Sequence, residues 1–196
     1  NDTHPGGVSA TAVVEVIEAV YYVNAGNPTP AFPFADWQSA ATTIQEAISA
    51  GSLPGRLVLV TNGVYANGGA VAANSLLTNR VVLTHAVVVR SVNGPGVTAI
   101  QGAGPLGSNA VRCAYVGNDA VLSGFTLTNG HTLTYQWSIS LGGDIHGGGA
   151  FCESRGVVSN CVMTGNAAAS SGGGAYLGTL SHCRLAGNSA AYGAGA

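Results

Sequence analysis

The chain has 196 residues, a formal net charge of -2 and 30 glycines, and only 7% of its residues are charged. Its arginines are scattered singly and it has no lysine, so no basic face for a nucleic-acid backbone can be assembled. Its apolar runs are far shorter than the roughly 20 residues of a membrane-spanning helix, which argues against membrane insertion.

The N-terminal region carries an apolar, strand-prone segment, GVSATAVVEVIEAV, at residues 7–20. Two interpretations stay open for residues 1–20: the first strand of the domain, or an arm that adds to the next copy of the chain by strand pairing. Head-to-tail contacts of that kind do not close on themselves, so they would build a filament. The chain starts at Asn1 with no Met or signal-peptide core, which indicates a secreted, mature product at the cell surface or outside it.

A single helix is predicted in the region 21–52, over residues 37–50. Trp37, Ala41, Ile44 and Ile48 fall on one helical face. Asp36 is the expected N-cap and Gly51 the expected C-cap. Such an amphipathic helix would cap the open edge of the first coil, or pack on its flank.

The rest of the chain, residues 53–196, is built from repeats. Residues 147–171 align with 172–192, a final GAGA starts a third copy, and residues 109–130 form a looser, earlier copy. A unit of about 21 to 25 residues is too small to bury its own apolar face, so it must stack on copies of itself. The pattern predicts an all-β parallel solenoid, in which Asn166 and Asn188 form an asparagine ladder at a turn.

The four cysteines fall at two repeated positions. Self-alignment places Cys161 and Cys183 with Phe125, and Cys113 and Cys152 with Leu177. Strands stacked about 4.8 Å apart bring such pairs within disulfide distance, so either disulfides or inward-facing free thiols are expected. No CxxC or CxxH spacing occurs, so no zinc module is predicted.

One insertion, residues 131–146, interrupts the repeats. It carries the candidate ligand-binding residues Tyr135, Trp137, His131, Asp144 and His146. The two aromatic rings can form a platform for sugars, and the histidines with the carboxylate can ligate a metal or a polar ligand. Alternatively, Trp137 covers the solenoid flank, and the histidines are exposed and bind no ligand. No cofactor is predicted.

Several segments in order resemble a known superfamily: DWQSAATTIQEAI, LVLVTNGVY, VVVRSVNGPGVTAIQGAG, AVLSGFTLTNG and GGGAYLGTLSHCRLAGNSA. They resemble right-handed parallel β-helix proteins of the pectin-lyase-like superfamily, and among these secreted bacterial repeat proteins of the polymorphic outer-membrane type. The resemblance implies a right-handed parallel β-helix. It does not decide among lyases, hydrolases, adhesins and inactive relatives.

Catalytic residues are not evident. Glycoside hydrolysis needs two carboxyl groups about 5 to 9.5 Å apart, and Asp144 and Glu153 are the only candidates. The low charge and the Gly/Ala-rich coils favour an extracellular structural or adhesive protein whose partners are copies of itself and, in one alternative, a polysaccharide. The other readings are a polysaccharide lyase or hydrolase and a glycan-binding module.

Overall fold

The computed structural model describes residues 20–51, 54–134 and 142–196, and shows the predicted all-β parallel β-helix. The expected N-terminal arm, apart from Val20, lies outside these residues. Along the chain the strands are β1 (Val20–Val23), β2 (Arg56–Val60), β3 (Gly63–Tyr65), β4 (Ala70–Val71), β5 (Thr78–Leu83), β6 (Val87–Ser91), β7 (Thr98–Gln101), β8 (Val111–Val116), β9 (Val121–Ser123), β10 (Thr126–Thr128), β11 (Ala150–Cys152), β12 (Val157–Ser159), β13 (Val162–Thr164), β14 (Ala175–Tyr176), β15 (Thr179–Ser181) and β16 (Arg184–Ala186). The described helices are α1 (Ile44–Ser49) and a 3₁₀ helix (Gly142–Ile145).

Three sheets run along the solenoid. The first has the order β1-β2-β6-β9-β12-β15, the second β3-β7-β10-β13-β16 and the third β4-β5-β8-β11-β14. Each full coil supplies one strand to each sheet, and neighbouring strands are parallel except for the antiparallel pair β4 and β5. Alternate side chains point inward, so Leu122, Leu127 and Val158 are fully buried in one continuous core.

The Gly-Gly-Gly-Ala blocks are corners of successive coils, as predicted. Ala150 pairs in register with Ala175, and the N–H of Ala175 donates to Gly195 O at 3.0 Å, so the final GAGA continues the same stack. A Cβ added to Gly149 would lie 2.4 Å from the carbonyl oxygen of Gly174, closer than a real side chain can approach. These glycines therefore permit the tight stacking of corners.

The helix is shorter than predicted, and the expectation of residues 37–50 with Asp36 as N-cap is wrong. Thr43 is the N-cap: its hydroxyl accepts from the N–H of Glu46 at 3.2 Å, and the Glu46 carboxylate accepts from the N–H of Thr43 at 3.0 Å. Ala41 pairs with Val23 as an extended bridge, so the chain cannot be helical there.

The flanking cap residues have other positions. The Asp36 carboxylate accepts from the N–H of Ser39 at 2.7 Å within a turn. Trp37 is 41% exposed and meets the Tyr22 ring edge-on. The C-cap is Ala50 instead of Gly51.

Helix α1 nevertheless lies where a cap was expected. Its Ile44, Ala47 and Ile48 side chains are buried in the main core, as the helical periodicity indicated for the two isoleucines. The Gln45 side chain accepts a 2.7 Å hydrogen bond from the N–H of Val82 in β5. That bond satisfies a backbone group on a strand edge that would otherwise be unpaired.

Half of the predicted cysteine register is confirmed. Phe125, Cys161 and Cys183 occupy equivalent positions directly before β10, β13 and β16. The pairing of Cys113 with Cys152 is wrong, because Cys152 pairs in register with Val116. All four cysteines are free thiols.

The asparagine ladder is confirmed. Asn166 donates from its side-chain amide to Asn188 Oδ1 at 3.0 Å and to Leu127 O at 2.9 Å. Its own Oδ1 accepts from the N–H of Gly130, the equivalent residue of the preceding coil, at 2.8 Å. The ladder thus connects three successive coils.

Candidate functional site

A cavity of about 190 Å³ opens beside the third sheet, between the segment that precedes β5 and the 3₁₀ helix that ends the insertion. The residues that line it and carry functional side chains are Asn74, Ser75, Arg112, Tyr115, Asp144 and Phe151. Three chain segments that are distant in sequence therefore meet at this cavity. Aromatic and charged side chains converge there.

The apolar wall belongs to an aromatic ladder on the outer face of the third sheet. Tyr115, Phe151 and Tyr176 pair in register on β8, β11 and β14. The rings of Tyr115 and Phe151 stack with centroids 5.6 Å apart and an interplanar angle of 10°. The ring centroids of Phe151 and Tyr176 lie 5.7 Å apart. Aromatic pairs of this kind contribute about 0.5 to 1.5 kcal/mol beyond the area that they bury.

Arg112 forms the cationic wall. Its side chain is 1% exposed, and its guanidinium carbon lies 5.2 Å from the centroid of the Phe151 ring. Nε donates to Gly147 O at 2.9 Å, and Nη2 donates to Gly143 O at 2.5 Å and to His146 O at 2.7 Å. Arg112 therefore holds the end of the insertion against the solenoid.

The remaining bond of Arg112 runs to the preceding coil. Nη1 donates to Asn79 Oδ1 at 3.0 Å. All four of these acceptors are uncharged oxygens. Burial lowers the pKa of Arg112 to about 10, and the nearby Asp144 acts in the opposite direction. The guanidinium is still protonated at neutral pH, so the cavity has a fixed positive charge.

Asp144 forms the anionic wall and is 2% exposed. One carboxylate oxygen accepts from the Ser75 hydroxyl at 2.6 Å, and the other accepts from the N–H of Leu76 at 2.7 Å. The carboxylate therefore ties the 3₁₀ helix to the segment before β5. Its position is fixed by these bonds before any ligand binds.

Glu153, the other predicted carboxylate, has a separate set of partners. The Tyr115 hydroxyl donates to one of its oxygens, and the N–H of Asn118 donates to the other at 3.2 Å. Burial, followed by the bond to Glu153, raises the pKa of Tyr115 to about 12. Glu153 is not among the residues that line the cavity. The two carboxylates are thus engaged by different donors.

The predicted insertion residues are only partly brought together. Tyr135 and Trp137 lie outside the described residues. His131 donates from Nδ1 to Asn129 O at 3.0 Å and packs against Gly104. His146 stacks on Tyr176 with centroids 4.2 Å apart. Of the three candidates that the structure describes, only Asp144 lines the cavity.

A metal centre is not formed by the residues that the structure describes. Within residues 20–51, 54–134 and 142–196, no group of three or more His, Cys, Asp or Glu side chains is placed to hold a metal ion. His131, Asp144 and His146, which we considered as ligands, have the separate partners given above.

The sequence interpretation missed Arg112 and the aromatic ladder. The signal was present: CAY, GAF and GAY at residues 113–115, 149–151 and 174–176 place an aromatic residue after each alanine. Aligning Cys113 with Cys152 put Tyr115 out of register with Phe151, although the later two repeats already aligned Phe151 with Tyr176. An alignment based on the alanine-aromatic pair would have found the ladder.

Comparisons with known proteins add no relative. No protein-family model, no curated protein and no solved structure matches the chain. Among the described helices, none has the length and apolar character needed to cross a membrane. The cavity is therefore the feature of this protein that bears on its function.

Proposed function

We propose that this protein is an extracellular adhesive β-solenoid that binds a glycan in the cavity beside the third sheet. The observation that carries the proposal is the combination of two stacked rings, Tyr115 and Phe151, with Arg112 and Asp144 in one cavity. Sugar rings present apolar C–H faces and a rim of hydroxyl groups. Aromatic surfaces suit the faces, and fixed polar groups suit the hydroxyls.

The polar groups of the cavity are organised in advance. Arg112 and Asp144 are each fixed by several hydrogen bonds to the protein, so binding a ligand costs little further ordering. A relationship to pectin-lyase-like repeat proteins and a location outside the cell belong to this proposal. The resemblance of the sequence segments supports the first, and the low charge and the Gly/Ala-rich coils support the second.

The positions of the two carboxylates favour glycan binding over glycan hydrolysis as the function. A glycosidase needs one carboxylic acid and one carboxylate that flank the same bond. Here Asp144 lines the cavity, while Glu153 is bonded to Tyr115 and Asn118 and does not line it. Asp144 is therefore a hydrogen-bonding group of a binding site in this proposal.

The test is a glycan-array screen followed by calorimetry on the bound glycans, using the full chain and two leucine variants. Phe151→Leu removes a ring that lines the cavity, whereas Tyr176→Leu removes a ring of the same ladder that does not line it. Loss of an aromatic contact worth about 1.4 kcal/mol weakens binding by about tenfold in Phe151→Leu. Tyr176→Leu stays within about twofold of wild type.

Two results would overturn the proposal. One is the absence of any bound glycan on the array. The other is equal binding by wild type and Phe151→Leu, with far-ultraviolet circular dichroism showing that both variants keep the fold.

A further inference from the structure

The charges in the cavity balance each other. Of the eight described residues that line it, Arg112 is the basic one and Asp144 the acidic one. Tyr115 is protonated, because its pKa is raised to about 12. The cavity therefore offers one positive and one negative group, and neither sign dominates.

Arg112 has little capacity left for an anion. A guanidinium carries five N–H groups. Four are used by Gly147 O, Asn79 Oδ1, Gly143 O and His146 O. The fifth N–H, on Nη1, has no acceptor among the described residues. Bidentate binding of a carboxylate needs two parallel N–H groups, so Arg112 cannot provide it.

Asp144, in contrast, can accept further hydrogen bonds. Among the described residues, Ser75 donates to one of its oxygens and Leu76 to the other, so each oxygen keeps a further lone pair with respect to these residues. A ligand hydroxyl can donate to such a lone pair. A ligand carboxylate cannot, and at the same place it would be repelled by the like charge.

We propose that the glycan of this cavity is a neutral sugar, held by the unused N–H of Arg112, the free lone pairs of Asp144 and the rings of Tyr115 and Phe151. This inference rests on the proposed glycan binding and specifies its ligand class. Sugars that carry a carboxylate, such as uronic acids, are disfavoured.

The experiment uses matched oligosaccharides that differ only in charge. Tetramers of galactose and galacturonic acid, of mannose and mannuronic acid, and of glucose and glucuronic acid are titrated into the full chain by calorimetry. We expect one neutral member to bind at least tenfold more tightly than its acidic partner. Between 50 and 300 mM NaCl the affinity of the neutral member changes by less than about twofold, because no net charge is paired.

Two carboxylate-to-amide variants identify the group responsible. Asp144→Asn removes the negative charge inside the cavity, and Glu153→Gln removes one outside it. Asp144→Asn weakens the neutral tetramer about tenfold and narrows or reverses the preference over its acidic partner. Glu153→Gln keeps wild-type affinity and selectivity. Thermal melts confirm that both variants are folded.

The outcomes separate the two proposals. Tighter binding of an acidic tetramer by wild type overturns the neutral-sugar inference and leaves glycan binding in place. An Asp144→Asn variant that is folded and keeps wild-type selectivity also overturns the inference. If none of the six tetramers and no glycan on the array binds the protein, both proposals are overturned.

Discussion

The side-chain amide of Asn166 joins three coils of the solenoid through hydrogen bonds to Gly130, Leu127 and Asn188. Asn166→Ala removes the acceptor of the Gly130 N–H and one bond each from Leu127 O and Asn188 Oδ1, while Asn188 Oδ1 keeps its bond from the backbone N–H of residue 166. We expect a loss of about 3 kcal/mol in the free energy of unfolding, measured by urea denaturation.

Asn188→Ala is the matched control for that measurement. Asn188 is partly exposed, so water can replace the bonds that it makes to Asn166 and to Met163 O. Its loss costs about 1 kcal/mol. Equal losses of unfolding free energy in the two variants would contradict the idea that burial makes the bonds of Asn166 more stabilising than those of Asn188.

His146 predicts a pH dependence of stability. Burial, with the charge of Arg112 nearby, lowers the pKa of His146 below its usual value, and its Nδ1 is buried without a partner. The unfolded chain therefore binds a proton at higher pH than the folded chain does. Stability from this group is present above the unfolded pKa of about 6.5 and is lost as the pH falls below it.

The measurement is the melting temperature of wild type and His146→Gln between pH 7.5 and 5.5. The wild type loses more stability on acidification than the variant, which has no group to titrate at that position. Parallel curves for the two proteins would contradict the assignment. Asp36 and Asp119, whose pKa values are lowered by Ser39 and by Arg155 respectively, titrate below this window.

At the level of elements, two substitutions test which residue is the N-cap of α1, the observed Thr43 or the predicted Asp36. Thr43→Ala removes the hydroxyl that accepts from the N–H of Glu46, and costs about 1 kcal/mol in chemical denaturation. Asp36→Ala leaves the helix intact, since Asp36 bonds only within its own turn. A larger loss in Asp36→Ala than in Thr43→Ala would instead support a helix that begins near residue 37.

The same helix shows what the sequence could and could not predict. The apolar spacing of Ile44 and Ile48 is local information, and both residues are buried as expected. The pairing of Ala41 with Val23 is not local, and it is the reason that the helix begins late. Threonine and glutamate at residues 43 and 46 were a capping-box signal that the longer apolar pattern concealed.

The candidate site was harder to predict than the coils. Glycine corners and alternating side chains recur within each repeat, so the solenoid could be deduced from short segments. The cavity depends on the bond between Ser75 and Asp144, residues 69 positions apart and outside the repeat pattern. Asp144 is a candidate because it lies in an insertion, whereas Arg112 is one of six arginines scattered singly along the chain.

At the scale of the whole molecule, the winding of the solenoid determines which cysteines can react with each other. Cys161 and Cys183 are in register on neighbouring coils, whereas Cys113 and Cys152 are not. Mild oxidation of the folded protein with oxidised glutathione therefore yields a Cys161–Cys183 disulfide, detected by mass spectrometry of peptides digested without reduction. A Cys113–Cys152 bridge is not expected.

The reaction should also be slow and dependent on pH. Burial raises the pKa of Cys161 to about 12, so its reactive thiolate is scarce at pH 7 and increases nearly tenfold for each pH unit. The oxidation rate therefore rises steeply between pH 7 and 9. Cys161→Ser abolishes the cross-link and Cys113→Ser preserves it, because the register of the coils brings only Cys161 opposite Cys183. A dominant bridge to Cys113 in the folded protein would mean that the coils are stacked in another register.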